Sequence, residues 1–432
     1  MGKRYAPQWI AVAVYLVLAA LYAFGDKAVF DRVLGIWGVN AYSFAFLDTD
    51  TILSAIRCFN MGVDAYTVNP CDDLERVYTY SPLWTVLTAF RVTEAWIPPV
   101  GLLFCALFIV SIFLLPPARD RKSAVVLTIA LLSSSVIFAL ERGNNDLVLF
   151  GLVAIGAYLV SQRPAARGMG YGLILLAGLL KYFPLALLAL LGREKTGTAV
   201  RIGAFLALAL LAVVVVFWSE FPKAFNNIPD GNYFSNWFGA PMIPRTMASL
   251  YGWDAWAAPA MRIVMTLAAA AVALGMAMER GTSQALAGLT DWEKTFLFAG
   301  CGMTAACYFT AQNIGYREIH LIMAIPALSA MAAGSGARRF KVALIMALAF
   351  LCISLRHRIA VSMALNGNVL DLSAPAFMVP WYAEHVLWWV LMTILLSILI
   401  ALVAQFPMAR ALMPAVLQER FNAPTARDGV PV

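Results

Sequence analysis

Long apolar runs constrain this chain more than any other feature, because a segment of about 20 apolar residues has few stable homes outside a bilayer. "WIAVAVYLVLAALYAF" near the N-terminus and "AVVLTIALLSSSVIFAL" at 124–140 are two of them. Others recur at 98–116, 145–161, 199–218, 258–278, 293–311, 318–334, 340–355 and 385–405. Hydrophobic residues make up 62% of the chain and charged ones 13%, against about 25% charged in a soluble domain. The pattern predicts an all-α polytopic membrane protein, with residues 1–432 as one integral membrane domain. The first run follows only "MGKRYAPQ" and lacks a small-residue cleavage site, so it reads as a retained span.

Orientation follows from Lys and Arg, which favour the cytoplasmic side. With the basic N-terminus inside, residues 25–97 fall outside, "PPARDRK" inside, "ERGNND" outside and "SQRPAARG" inside. The basic turn "GREKTGTAVR" would then lie on the wrong side if 170–191 were an ordinary span. Lys181 and Pro184 interrupt that run. Proline lacks an amide donor and disfavours helix at the preceding residue, and broken backbone at membrane depth is tolerated where it lines a cavity. A re-entrant or broken helical hairpin near 170–191 returns both basic ends to the cytoplasm; a single kinked span is the alternative. The hairpin also places "MERG", "GARRFK" and a tail at 406–432, with Arg410, Arg420 and Arg427, inside. The expectation is about ten full spans plus the hairpin, in a bacterial inner (plasma) membrane.

The outer side then collects polar residues from five segments: 25–97, 141–146, 219–257, 311–320 and 356–358. The first is the densest. From Phe46 to Trp84 it carries five aspartates, a glutamate, two arginines and two cysteines. Outside the cytoplasm a disulfide persists, and a Cys58–Cys71 bridge would close a short loop, worth about 3 kcal/mol in the chain-entropy model. It would hold the Asp48 segment against "YTYSPLW". The other four cysteines read as packing residues. "DTDTILSAIRCFNMG" has helical period, with Ile52, Ala55, Ile56 and Phe59 on one face, which predicts a helix from near Asp48 to near Gly62 lying on the membrane surface. Asp48 at its start is a candidate base or metal ligand; a simple helix cap is the alternative.

These residues carry a family resemblance. Asp48, Ala55, Gly62 and Tyr66, followed by "NPC" and "YTYSPLW", resemble the pattern after the first span of glycosyltransferase family 87, the α-mannosyltransferase-like membrane enzymes of the GT-C fold. "ERGNNDLVLFGLVAIGAYL", "GYGLILLAGLLKYFPLALLALL" and "YREIHLIMAIPAL" resemble its later segments. Two departures stand out. Asp50 lies two residues beyond Asp48, and Arg317 with His320 replaces a more histidine-rich edge. The resemblance implies a GT-C-like bundle with surface helices in its extracytoplasmic loop. It also implies transfer of a mannose-like sugar from a polyprenyl-phosphate donor to a glycolipid or glycan acceptor on the periplasmic or outer face.

The residue types suit that chemistry. A carboxylate can take the acceptor's proton: Asp48 is the candidate and Asp50 the fallback. Cations stabilise a leaving phosphate, and arginine binds two phosphate oxygens at once. The available cations are Lys181, Arg317, His320, Arg356, Arg358 and Arg142. Asn144, Asn145 and Asp146, beside Glu141, are candidate sugar or phosphate contacts, or caps of the following helix. Tyr233 and Trp237 read as an interfacial belt or a sugar platform. No cofactor and no metal is expected, although "DTD" leaves a divalent ion open. A Gly-rich nucleotide loop is absent, and no nucleic-acid partner is expected. Two rivals remain: a transporter or flippase, for which the chain offers no internal repeat, and an O-antigen-type polymerase.

Overall fold

The computed structural model describes residues 2–42, 44–228, 237–334, 337–367, 369, 371 and 374–421. It is mostly helical. α1 (Ala6–Phe24) is followed by α2 (Lys27–Ile36), capped by Asp26, whose carboxylate accepts from the Ala28 and Val29 amides. α3 (Leu47–Asn60) opens the loop that leads to α4 (Ile97–Ser111). α5 (Arg121–Leu131) and α6 (Ser134–Arg142) continue one another as a single span, and α7 (Asn145–Gln162) turns back. Then come α8 (Arg167–Leu180), a 3₁₀ segment at Phe183–Arg193, α9 (Thr196–Val216), α10 (Glu220–Asn226), α11 (Met242–Tyr251), α12 (Ala257–Ala277), α13 (Arg280–Ala287) and α14 (Asp291–Thr310). A second 3₁₀ segment, Gly315–Met323, leads to α15 (Ile325–Ala332), α16 (Arg338–Cys352), α17 (Leu355–Leu365), the long α18 (Pro375–Ala404), α19 (Pro407–Leu412) and α20 (Ala415–Phe421). Trp237–Phe238 pairs antiparallel with Asn313–Ile314.

Among the described residues, seven helices are long and apolar enough to cross a membrane, or eight if the bent pair α16–α17 counts as one. That falls short of the expected ten. α14 has the length, but Asp291, Glu293 and Lys294 fill its first turn and its side is buried in the protein from Thr295 to Ala305. The run at 318–334 is divided between a 3₁₀ segment and the eight-residue α15. The run at 340–355 ends where α17 turns away from α16 by 86°. Sequence hydropathy cannot separate a span from a helix buried in protein when the run is short. By contrast, α9 and α12 expose Phe205, Leu208, Leu211, Ile263, Val264 and Leu267, a surface that fits lipid rather than water.

The run at 170–191 does fold back on itself. The Tyr171 hydroxyl donates to Leu190 O (3.1 Å), Arg167 pairs with Glu194 (3.1 Å), and a Cβ on Gly178 would meet the Leu185 side chain. Lys181 and Tyr182 form the tip. α8 also runs antiparallel to α7, close enough that a Cβ on Gly156 would lie 2.8 Å from Gly170 O. α7 is about 27 Å long at 1.5 Å per residue over its 18 residues. Its first residues therefore sit beside the hairpin tip, and its last beside the hairpin's basic ends.

α3 begins and ends where the sequence predicts, but it does not lie on a surface. Its side chains from Leu47 to Ile56 are all buried, Asp48 and Asp50 included. The apolar period identified one buried face; the polar face is buried as well, because it packs against the α6–α7 turn and the loop arginines.

Candidate functional site

The α6–α7 turn sets the geometry. Gly143 closes α6 in the left-handed conformation (φ +54°), where a Cβ would lie 2.6 Å from Thr49 Oγ1 and 2.8 Å from the Phe46 ring. Thr49 Oγ1 in turn donates to Gly143 O (2.7 Å), and the Phe46 amide donates to Glu141 O. This close approach brings Asn144 against the first turn of α3. Asn144 Nδ2 donates to Asp48 Oδ2 (2.5 Å), while its Oδ1 caps α7 by accepting from the Asp146 amide (2.7 Å). One side chain thus joins Asp48 to Asp146. The other oxygen of Asp48 faces Arg142 at 3.8 Å and Arg76 at 3.9 Å, contacts too long to occupy it fully.

Asp146 is fully buried and gathers cations from two other elements. Lys181 Nζ, at the hairpin tip, lies 2.6 Å from Oδ2, and Arg317 Nε lies 3.6 Å from the same atom. His320 Nε2 approaches Oδ1 at 3.3 Å. Arg317 also donates to Asn313 Oδ1 (2.5 Å) and lies over the Phe183 ring. Two basic side chains therefore share one carboxylate.

Over Asp48 sits the loop that follows α3. Cys58 and Cys71 are disulfide-bonded, and Arg57 Nη2 donates to Cys71 O (2.6 Å). The bridge fixes the start of "DDLERVYTYSPLW". Arg76 then pairs with Asp72 (2.7 Å) and reaches Asp48 and Asp50 at 3.9 and 3.8 Å. Ser81 Oγ ties the segment to Leu179 O beside the hairpin tip (2.6 Å). Asp50 faces Arg57 and Arg76 only loosely, at 3.9 and 3.8 Å. Burial, reinforced by Asp72, pushes its carboxyl up to about 6 despite the two arginines.

Of the residues singled out in the sequence, Asp48, Asp50, Arg142, Asn144, Asp146, Lys181, Arg317 and His320 converge here. Within the cluster Asn144 is bonded to Asp48, and Asp146 faces Lys181, Arg317 and His320. Asn145 is fully buried, and neither polar atom of its side chain has a hydrogen-bond partner among the described residues. Arg356 and Arg358 stand apart on α17: Arg358 pairs with Glu384, Arg356 donates to Asn40 Oδ1 (2.6 Å), and neither pairs with Asp48 or Asp146. The 86° bend after α16 carries both away. Tyr233 lies outside the described residues, as does the Trp237 side chain. Sequence reasoning missed Arg76, Tyr80 and Tyr316; both tyrosines stand within electrostatic reach of Asp48 and Asp146. The only sequence signal for Arg76 was its place in an acidic stretch after Cys71. Among the described residues no three His, Cys, Asp or Glu side chains come together as a metal site.

A family model described as glycosyltransferase family 87 matches residues 78–302, slightly more than half of the chain. The matched segment includes Tyr80, Arg142, Asn144, Asp146 and Lys181; Asp48, Arg317 and His320 lie outside it. No curated protein and no solved structure matches.

Proposed function

Because the chain belongs to glycosyltransferase family 87, it is a membrane glycosyltransferase, and we propose that its donor is a polyprenyl-phosphate sugar of mannose type. The acceptor is a hydroxyl of a cell-envelope glycolipid or glycan, and the reaction takes place on the extracytoplasmic face. The observation that carries this reading is the Asn144 bridge. It sets a loosely engaged carboxylate oxygen of Asp48 beside a buried pocket in which Lys181 and Arg317 outnumber Asp146.

In this reaction the acceptor oxygen attacks the anomeric carbon, opposite the departing phosphate. The new C–O bond forms as the bond from that carbon to the phosphate oxygen breaks, with inversion. The acceptor's proton passes to Asp48, whose second oxygen is held by Asn144 and so has a fixed direction. The electron pair leaves with polyprenyl phosphate, and the growing charge is met by Lys181 and Arg317, already in place in a water-poor site. Asp146 keeps these cations gathered before the donor arrives. Asp50 is turned toward Arg57, Arg76 and Asp72, which favours Asp48 as the base. The extracytoplasmic assignment is supported by charge: "PPARDRK", "SQRPAARG" and "GREKTGTAVR" cluster around the hairpin's open end, remote from Asp48.

The test is transfer by purified protein given a polyprenyl-phosphate sugar and an acceptor glycolipid. Asp48→Asn should lower turnover by about 10²–10⁴-fold, the usual contribution of a general base, with the folded yield unchanged. Undiminished transfer by Asp48→Asn would remove the proposed base. Movement of the lipid-linked sugar across vesicles without transfer would support a flippase instead.

A further inference from the structure

Five arginines around the Asp48 end of the molecule face carboxylates: Arg57 faces Glu94, Arg76 Asp72, Arg142 Glu141 and Asp48, Arg317 Asp146, and Arg358 Glu384. Arg32 and Arg356 do not, and they share one cavity. Among the described residues neither lies within ion-pair distance of an acid. Arg32 Nε donates only to Ala28 O of its own helix, and Arg356 Nη1 to Asn40 Oδ1. Both line the same cavity of about 590 Å³ between α2 and the start of α17, with Ile36, Val39, Asn40 and Asp31. Asp31 is already held by Lys27 (3.1 Å), so the wall is net positive. The cavity is also braced: Ser354 Oγ donates to Gly38 O (3.1 Å) and His357 Nε2 lies 3.1 Å from Ile36 O.

The rim gives the second half of the argument. α2 follows directly on the exit of α1, and the cavity edge carries Ile36, 71% exposed, with exposed Ile353 next to Ser354, which bonds Gly38 O. Two arginine forks beside outward apolar side chains, at the end of a membrane helix, match a ligand with a phosphate head and a greasy body. We infer that this cavity is a headgroup site for an anionic phospholipid. It is separate from the Asp48 pocket and does not depend on the transfer reaction.

Full-length protein stripped of lipid would be mixed with phosphatidylglycerol or phosphatidylcholine, and retained lipids counted by native mass spectrometry. Arg32→Gln with Arg356→Gln should lower phosphatidylglycerol retention by about tenfold or more, given roughly 1 kcal/mol per arginine at an anionic surface, and leave phosphatidylcholine unchanged. Arg201→Gln is the matched control, since Arg201 is exposed and likewise bonded to its own helix at Gly197 O; it should change neither. If the double variant fails to give monodisperse protein, the exposed Arg32→Glu alone decides. Equal retention by the variants overturns the site. Displacement of the lipid by inorganic phosphate at low millimolar concentration overturns the lipid assignment in favour of a free anion.

Discussion

The two ends of α7 use charge in opposite ways. At its C-terminal end, around the open side of the hairpin, Arg119 meets Glu293 (2.7 Å), Arg167 meets Glu194 (3.1 Å) and Arg193 meets Asp291 (2.6 Å). Each cation has its own acid, and each pair staples one helix end to another. At the N-terminal end, Lys181 and Arg317 converge on Asp146 alone, inside the protein. Both ends are ionic and both hold elements together. Matched pairs complete themselves, whereas two half-buried basic side chains sharing one carboxylate leave an excess of positive charge, which the proposed donor phosphate would answer. The imbalance, not the presence of charge, sets apart the end where we propose that transfer occurs.

The sharpest way to break this comparison is to neutralise both sides. Lys181→Met should lower kcat/KM for the donor by about 10²–10³-fold, the range for a lost preorganised charge contact. It also leaves Asp146 with weaker partners, so some loss of stability will accompany it. Lys181→Met with Asp146→Asn leaves Arg317 without its carboxylate, so it should lower the thermal midpoint further and should not restore transfer. Recovery of transfer in the double variant would make the pair a mere staple, like those at the other end.

At that other end the expectation reverses. Glu293→Gln removes the acid that pairs with Arg119 and also weakens the Thr290 capping box at the start of α14. A loss of about 1–3 kcal/mol is expected, from a half-buried ion pair plus a helix cap, read as a lower unfolding midpoint. Transfer per folded molecule should stay unchanged. A selective loss of turnover at full stability would erase the distinction between the two ends.

Some of this contrast was legible in the sequence. Lys181 and Pro184 inside an apolar run signalled a break, because a lysine there has no lipid-compatible place and a proline cannot continue the ladder. The Cys58–Cys71 bridge and the boundaries of α3 followed from spacing and period. Other features depended on contacts between distant segments. Arg76 reaches Asp48 across a loop whose path is fixed by the disulfide, and the sequence does not report that path. The Gly143 turn draws Asn144 to Asp48 through close packing with Phe46 and Thr49, so the sequence offers Asn144 as a sugar or phosphate contact or a cap but not as a partner of Asp48. The sequence groups Arg356 and Arg358 with the site as cations on the same side of the membrane; after the bend that follows α16 they pair with Asn40 and Glu384 instead.

Within the functional end, Asp48 and Asp50 offer a finer version of the same contrast, and the smallest predicted effect. Asp50 is buried, and no hydrogen bond reaches its Oδ2. Its carboxyl is raised from 3.8 to about 6, chiefly by burial. A carboxyl with a raised pKa holds its proton more tightly when folded. Its stabilising contribution is therefore complete below pH 3.8 and fades as pH rises through about 6. Asp50→Asn removes that titration. Relative to wild type, the variant should gain about 1 kcal/mol at pH 7.5, less than the full two-unit shift implies because asparagine also gives up the loose ion contacts with Arg57 and Arg76. The gain should vanish near pH 4, and transfer should fall far less than in Asp48→Asn. Unfolding midpoints of the two proteins across pH 4–8 provide the measurement. A loss of turnover as deep as that of Asp48→Asn would exchange the roles of the two aspartates.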